Sequence, residues 1–357
     1  MPARATITVD LSKIEQNTRA VVSALTGVDI VGVTKVTCGD PRVARAMLAG
    51  GVVALGESRL ENAMRLREDG ITAPIWLVRA PVPALAEEAV RVSDVSVVSE
   101  RAIASALDAA AGRLGRHYGL LPMVDIGDRR EGMMPDELPL FMEAVSRLAH
   151  VDIVGIGASL TCYGAIVPDE HNLALLSSLA DAAREQLGRP LHISAGSSTS
   201  IAAVLDGRAP KTVDNLRIGE AIMLGVDPAT REPIPGLSLH RDAVTVSAPV
   251  IECKVKPSLP MGTAAQDAFG GVPSFGDRGE RRRALVALGR QDVPPEGLVP
   301  LDPRVEVLGA SSDHLVLDVD ALPRAPEIGE AIFFVPGYSA VLALFTSPYV
   351  VKAYVGA

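Results

Sequence analysis

The sequence is short of most features that would place it in a specialised class. Three cysteines occur in 357 residues, Cys38, Cys162 and Cys253. They are odd in number and far apart, so they build neither a disulfide framework nor a zinc pattern, and they favour a reducing cytoplasm. No apolar run is long enough to span a bilayer, and the N-terminal stretch lacks the charged-then-apolar layout of a secretory leader. Basic charge is scarce as well: 34 Lys and Arg stand against 43 Asp and Glu, a net charge of −9. No basic stripe is available to neutralise phosphates, which argues against a nucleic-acid partner. The chain also lacks internal repeats, low-complexity segments and a GxGxxG turn, and the last absence weighs against a flat doubly wound sheet.

What remains is an ordinary globular composition, 48% hydrophobic and 22% charged, which can bury a large core. Strand-like runs near 29–35, 52–56, 75–79, 94–98, 121–127, 151–158, 191–195 and 215–219 alternate with amphipathic stretches at 41–49, 59–68, 100–114, 136–148, 170–187 and 200–205. That alternation predicts a (β/α)8 TIM barrel with right-handed crossovers. A short run at 5–9 and a helical stretch at 11–25 precede it. After Asp227 the texture changes. Pro228, Pro233, Pro235 and Gly236 form a linker, and runs at 244–255, 282–288, 304–308, 314–318 and 331–335 read as strands. The expected organisation is a barrel over residues 1–235, with residues 1–10 able to pair with a β-rich C-terminal domain over 236–357. Residues 256–279 hold five glycines and three prolines and read as a long loop.

Lys35 ends the run Asp29-Ile30-Val31-Gly32-Val33-Thr34-Lys35. If this is the first barrel strand, its tip opens at the end where such barrels do their chemistry. A partly desolvated amine there is a nucleophile able to form a Schiff base, although an isolated lysine at a strand end more often just meets water. The company it keeps matters. The seventh strand exits into Ala195-Gly196-Ser197-Ser198-Thr199 and the eighth into Leu216-Arg217-Ile218-Gly219-Glu220. Small-residue turns opening helices present amides and hydroxyls to an anion, and barrels often bind phosphate after strands seven and eight.

These residues carry a resemblance. Val33-Thr34-Lys35, Asp125-Ile126-Gly127-Asp128-Arg129-Arg130-Glu131-Gly132, Ser194 through Ser198, Asn215 through Gly219 and Gly309-Ala310-Ser311-Ser312-Asp313-His314-Leu315 together resemble the fold-type III pyridoxal-phosphate family of alanine racemase, closest to its ornithine racemase-type branch. The resemblance covers nearly the whole chain. It implies a pyridoxal 5'-phosphate barrel followed by a β-domain, used as a head-to-tail homodimer with shared active sites and acting on a small-molecule amino acid. It also implies an isomerase that removes the Cα proton from an external aldimine. Lys35 would hold the cofactor as an internal aldimine and act as a base on one face. Ser198 and the backbone of Gly219 and Glu220 would bind the phosphate. Arg217 would lie against the pyridine nitrogen, where a permanently charged donor keeps that nitrogen unprotonated. Arg130 would sit near the phenolic oxygen.

The chain also departs from that family. Two-base racemisation needs a second proton carrier on the opposite face. Alanine racemases supply a partner-subunit tyrosine in a Gly-Tyr-Ala-Asp-Gly motif, and the corresponding stretch here is Gly289-Arg290-Gln291-Asp292, without tyrosine. A histidine of the sixth strand is replaced within Ala158-Ser159-Leu160. The second base is therefore open among His314, Tyr163 in the Thr161-Cys162-Tyr163-Gly164 loop, Tyr338 and Tyr349. His314 also reads as a satisfied core histidine, and Tyr338 and Tyr349 as packing residues. A D-amino-acid lyase of the dehydratase or aldolase kind is an alternative, but Leu315, Val316 and Leu317 after His314 offer no second metal ligand, so no metal is expected. A non-catalytic pyridoxal-phosphate carrier is a further alternative, disfavoured by the second domain. For a substrate with a distal amine, such as ornithine, Asp267, Asp277 and Asp292 are candidate partners, each equally readable as a loop aspartate.

Overall fold

The computed structural model describes residues 3–356, and the chain forms two compact units, Leu11–Arg241 and a second made of Met1–Asp10 with Asp242–Ala357. The second is built on β1 (Thr6–Asp10); the first begins with α1 (Leu11–Ala24). Strands β2 (Asp29–Val33), β3 (Ala54–Glu57), β4 (Ile75–Leu77), β5 (Val95–Val98), β6 (Tyr118–Pro122), β7 (Val151–Ile153), β8 (Gly155–Ala158), β9 (His192–Ala195) and β10 (Asn215–Ile218) follow. Between them run α2 (Pro41–Ala49), α3 (Leu60–Glu68), α4 (Ala86–Val92), α5 (Arg101–Leu114), α6 (Leu138–Val145), α7 (Glu170–Leu187) and α8 (Ser200–Leu205), with α9 (Glu220–Leu224) after the last strand.

The nine parallel segments pair in the order β7-β6-β5-β4-β3-β2-β10-β9-β8. β7 and β8 are two parts of one strand, interrupted only at Val154. The first part pairs with β6 and the second with β9. Val154 itself bridges both neighbours: its amide donates to Leu120 O at 2.9 Å and its carbonyl accepts from His192 N at 3.1 Å. The sheet thus closes as an eight-stranded barrel, with parallel strands covered on both faces by side chains and helices. β3, β5, β8 and β10 are buried at every position. A fully buried Leu55 or Ile75 contributes about 1.5–3 kcal/mol over an exposed one. Helix ends follow local chemistry. Asp40 caps α2 through Arg42 N with Pro41 in the first turn, Asp169 and Asn172 form a reciprocal box on α7, and Gly115 and Gly188 end α5 and α7 in the left-handed region.

In the second unit, β11 (Val244–Pro257) pairs with β12 (Glu280–Val286), which pairs with β15 (Leu315–Asp318), and β15 pairs with β14 (Glu306–Ala310), all antiparallel. β11 also pairs with β16 (Ala331–Pro336), which holds β13 (Leu298–Pro300). β1 lies between β11 and β17 (Val351–Val355), antiparallel to one and parallel to the other, and it buries Ile7 and Val9 completely. Residues 258–279 between β11 and β12 carry no helix or strand, as their glycine and proline content predicts.

Several boundaries differ from the expected ones. The fifth barrel strand is Tyr118–Pro122 rather than 121–127, because Met133 bonds back to Met123 and Asp125, so that Met123 and Val124 make only isolated bridges and the chain leaves the ladder at Asp125. β2 ends at Val33, and Lys35 opens a single 3-10 turn, Lys35–Thr37. The units divide at Arg241/Asp242 rather than at 235/236, since Asn17 holds His240 through Nδ2 to its carbonyl and Oδ1 from its amide. The short helix α4 has too few residues to show a period, and among the described residues the β-rich unit carries one α-helix, α10 (Tyr338–Thr346), whose run Val341-Leu342-Ala343-Leu344-Phe345 is apolar all round.

Gly132 closes the turn after β6. Its φ is +126°, and an added Cβ would stand 2.4 Å from Asp125 N. Gly188 has φ +66° but open space around it. Gly132→Ala is therefore expected to cost about 1–3 kcal/mol of backbone strain plus a steric displacement, and to lower the thermal midpoint more than Gly188→Ala. Equal midpoints for the two variants would show that the turn repacks freely.

Candidate functional site

The C-terminal ends of the barrel strands gather charged side chains that would ordinarily seek water. Lys35 follows β2 by one turn, and burial lowers the pKa of its amine from the ordinary lysine value. Cys162, Glu131 and Glu57 act to hold the proton, while Arg130 acts to expel it. The turn that carries Lys35 is firmly anchored: Thr34 N donates to Gly56 O at 3.1 Å, Thr37 Oγ1 donates to Thr34 O at 2.9 Å, and Cys38 sits in the left-handed region at φ +53°.

Arg217, on β10, is buried and crosses the tops of two neighbouring strands. Its guanidinium donates to Ser194 O at 3.2 Å, to Ser194 Oγ, and to Ala158 O at 2.7 Å. Burial pushes its pKa down to about 10, with Glu131 opposing the shift and Arg130 adding to it. At neutral pH it still carries its charge, because about 10 lies well above 7.

The loop after β6 supplies Arg130 and Glu131, which pair through both guanidinium and carboxylate atoms, and Arg130 also meets Cys162 Sγ. The bond to Glu131 raises Arg130 above its ordinary value. Burial works to raise Glu131, but Arg130 overcomes it and holds the carboxyl below the usual range. The buried Asp128 ties this loop to the one after β8, accepting from Cys162 N at 3.1 Å and Tyr163 N at 2.9 Å. Of the five non-glycine residues with positive φ among those described, Cys38, Arg129, Thr161 and Ala165 lie in these three loops. Strain of that kind collects where a loop must aim a functional group.

The last two strands end in the turns read from the sequence. Ser198 is buried and its Oγ accepts from Ala221 N at 3.1 Å, joining the turn after β9 to α9. Gly219 has no room for a side chain, since a Cβ there would lie 2.7 Å from Val33 O. This close approach brings the start of α9 beside the end of β2. Glu220 pairs with Arg231 at 2.8 Å, and burial raises its pKa, with Lys35 and Arg231 opposing.

Lys35, Arg130, Ser198, Arg217, Gly219 and Glu220 thus all stand at one end of the barrel. Tyr163 stands at the same end with 78% of its surface exposed. His314 belongs to the other unit. It is exposed in the β14–β15 turn, with Nδ1 3.3 Å from Ser311 Oγ, and is not the buried core histidine that one reading of the sequence allowed. Tyr349, 64% exposed, and Tyr338, at the start of α10, lie in that unit too. The three candidate aspartates make local contacts: Asp267 accepts from Phe269 N and Gly271 N, Asp277 from Ser258 Oγ and Gly279 N, and Asp292 from Ser347 Oγ.

Glu57 and Glu131 also stand at this end, and neither is singled out by the sequence alone. Glu57 ends β3 fully buried, accepting from Thr34 Oγ1 at 2.5 Å and Asn62 Nδ2 at 2.9 Å. Burial raises its pKa to about 7 against those bonds. The available signal was a carboxylate directly after a buried Ala-Leu-Gly strand, at the same end as Lys35. Glu131 lies inside the Asp125–Gly132 motif, and only its pairing with Arg130 in the fold distinguishes it.

The described geometry has counterparts in known proteins. The model of the alanine racemase N-terminal domain matches residues 9–228, more than half of the chain. A lysine racemase of Thermotoga maritima is 39% identical, with 97% of each chain covered. An ornithine racemase of Acetoanaerobium sticklandii is 35% identical over 97% of this chain and 98% of its own. Among solved structures, the alanine racemase of Streptomyces lavendulae superposes with a TM-score of 0.78 at 22% identity, covering 100% of this chain and 98% of that one. The Bartonella henselae alanine racemase, solved with covalently bound pyridoxal phosphate, gives 0.76 at 18% identity, covering 99% and 100%. A barrel of this kind, a strand-end lysine and relatives matched over their full length lead to one conclusion: the chain belongs to the alanine racemase family.

Proposed function

We propose that this protein is a pyridoxal 5'-phosphate-dependent racemase of free amino acids with a basic side chain, lysine or ornithine. The observation that carries the reading is the desolvated Lys35 amine at the barrel's C-terminal end, faced by Arg130 and sharing that end with the buried cation of Arg217. The two full-length relatives named above support the substrate class.

The residues fit the cofactor. Lys35 offers a nucleophilic amine, and Ser198 with the amides of Gly219 and Glu220 offers donors to a phosphate beside it. When bound, pyridoxal 5'-phosphate supplies a conjugated electron sink for the α-carbon. Arg217, charged at neutral pH, would donate to the ring nitrogen and leave it without a proton. Arg130 would donate to the phenolic oxygen, its own charge balanced by Glu131. Lys35 Nζ, whose burial favours the neutral amine, would take the α-proton on one face and return it. A second group must serve the other face, and Tyr163, His314, Tyr349 and Tyr338 remain the candidates. As in the family it resembles, the protein would work as a cytoplasmic homodimer with shared sites.

Chiral chromatography of L-lysine, L-ornithine, L-alanine and L-serine incubated with the holoenzyme tests the activity. Lysine or ornithine should turn over roughly tenfold or more faster than alanine or serine, and absence of turnover on all four would remove the proposal. Lys35→Ala should lose the cofactor's near-visible absorbance and all racemisation; an unchanged spectrum would release Lys35 from its role. Replacing the true second base should abolish racemisation yet leave α-hydrogen exchange with deuterium for one enantiomer. His314→Gln, Tyr163→Phe, Tyr349→Phe and Tyr338→Phe are the variants to compare, and normal racemisation by all four would exclude the set. Sedimentation should show a dimer, and a monomer fully active on dilution would contradict shared sites.

A further inference from the structure

Glu57 has no part in the scheme above, yet its surroundings are unusual for a carboxylate. It is completely buried at the end of β3, beside the strand that leads into Lys35. Its oxygens take neutral donors only: Thr34 Oγ1, Asn62 Nδ2 and the backbone of Ser58. Among the described residues no arginine or lysine comes within ion-pair distance of it, and the charged group facing it is Lys35. A buried acid without a bonded cation is costly. As a mere link between Thr34 and Asn62, a glutamine would serve at lower cost. The link is nevertheless tight. Thr34 immediately precedes the lysine, and Asn62 packs so closely on Gly39, at the end of the same turn, that a Cβ there would lie 2.8 Å from Asn62 Cβ.

We propose that Glu57 is a positioning residue for Lys35: its carboxylate fixes the turn that carries the amine, and its negative charge sets how firmly the amine keeps its proton. The proposal rests on the reading of Lys35 as the reactive amine. The other groups facing Lys35 are the Arg130–Glu131 pair, the Cys162 thiol and Glu220. Glu131 and the Cys162 thiol both meet Arg130, and Glu220 has Arg231. Glu57 is left as the acid whose charge is answered by the lysine alone. Its titration near 7 means that it gains charge as the pH rises through neutrality. The ionised form then opposes loss of the proton from Lys35, which burial promotes.

The test uses the full-length protein freed of cofactor, with the reactivity of Lys35 toward trace acetic anhydride followed against pH by peptide mass spectrometry. The chain has six lysines, so Lys13 and Lys211 serve as internal references. Glu57→Gln keeps the shape, since its amide oxygen can accept from Asn62 and its amino group can donate to a rotated Thr34 hydroxyl. The expected result is a lower midpoint for Lys35 and, at pH 7, acetylation faster by roughly threefold or more. Glu57→Asp, which retains the charge, should titrate near wild type. A wild-type midpoint in Glu57→Gln, or an equal shift in Glu57→Asp, would overturn the proposal. Should Glu57→Gln not fold, Thr34→Val removes the donor that favours the ionised acid and should lower the Lys35 midpoint in the same direction, and no shift there would overturn it too. The acetylation readout needs no cofactor. A failed Glu57 test therefore leaves the racemase reading standing, while loss of that reading shows separately in the spectrum of Lys35→Ala.

Discussion

Closure of the barrel through Val154 is the constraint on which the rest of the unit depends. One strand must leave β6 and join β9 without breaking the ring. It does so by bonding Leu120 on one side and His192 on the other through the same residue. Because the ring is closed and parallel, every strand delivers its last residue to the same end. Lys35, Glu57, Arg130, Ser159, Ser198 and Arg217 are separated by up to nearly two hundred positions in the chain and yet stand at one end of the barrel. None of them could be desolvated alone on an open sheet edge.

At that end the opposing charges are arranged in layers. Arg217 is satisfied by carbonyls and hydroxyls of β8 and β9 rather than by a carboxylate, so its charge is not paired within the barrel by a bonded acid. Arg130 is the reverse case, locked to Glu131. Lys35 stands between these, with burial dominating its behaviour and four charged or ionisable neighbours adjusting it. A site of this kind is pre-organised: the cost of removing charge from water is met by the stability of the whole barrel, and the chemistry inherits groups already displaced from their solution properties.

The loops add direction. Asp128 binds the amides of Cys162 and Tyr163 across from another strand, and left-handed backbone at Arg129, Thr161 and Ala165 holds the turns in shapes that side-chain-bearing residues seldom adopt. Such geometry survives because the strands beneath leave little freedom for alternatives.

Much of this was legible in the sequence. Runs of Ile, Val, Leu and small residues at regular spacing marked the barrel strands, since a parallel strand buried on both faces cannot be anything but apolar. The lysine after β2 and the glycine turns after β9 and β10 were visible because their residue types are themselves the signal. The end of the fifth strand was not legible, as Val124 and Ile126 look like strand residues and only the return of Met133 to Met123 and Asp125 ends the ladder before them. Glu57 was invisible for a different reason. A carboxylate at a strand end is ordinarily solvated, and nothing local reveals that Thr34 and Asn62, from two other segments, will close over it. The division into units was likewise obscured by Asn17, which reaches more than two hundred residues along the chain to His240. Composition and periodicity determine which segments become strands and helices, because burial of a face is a property of each segment. Which charges lose their water is decided only by the tertiary structure, because desolvation is a property of what the other segments bring.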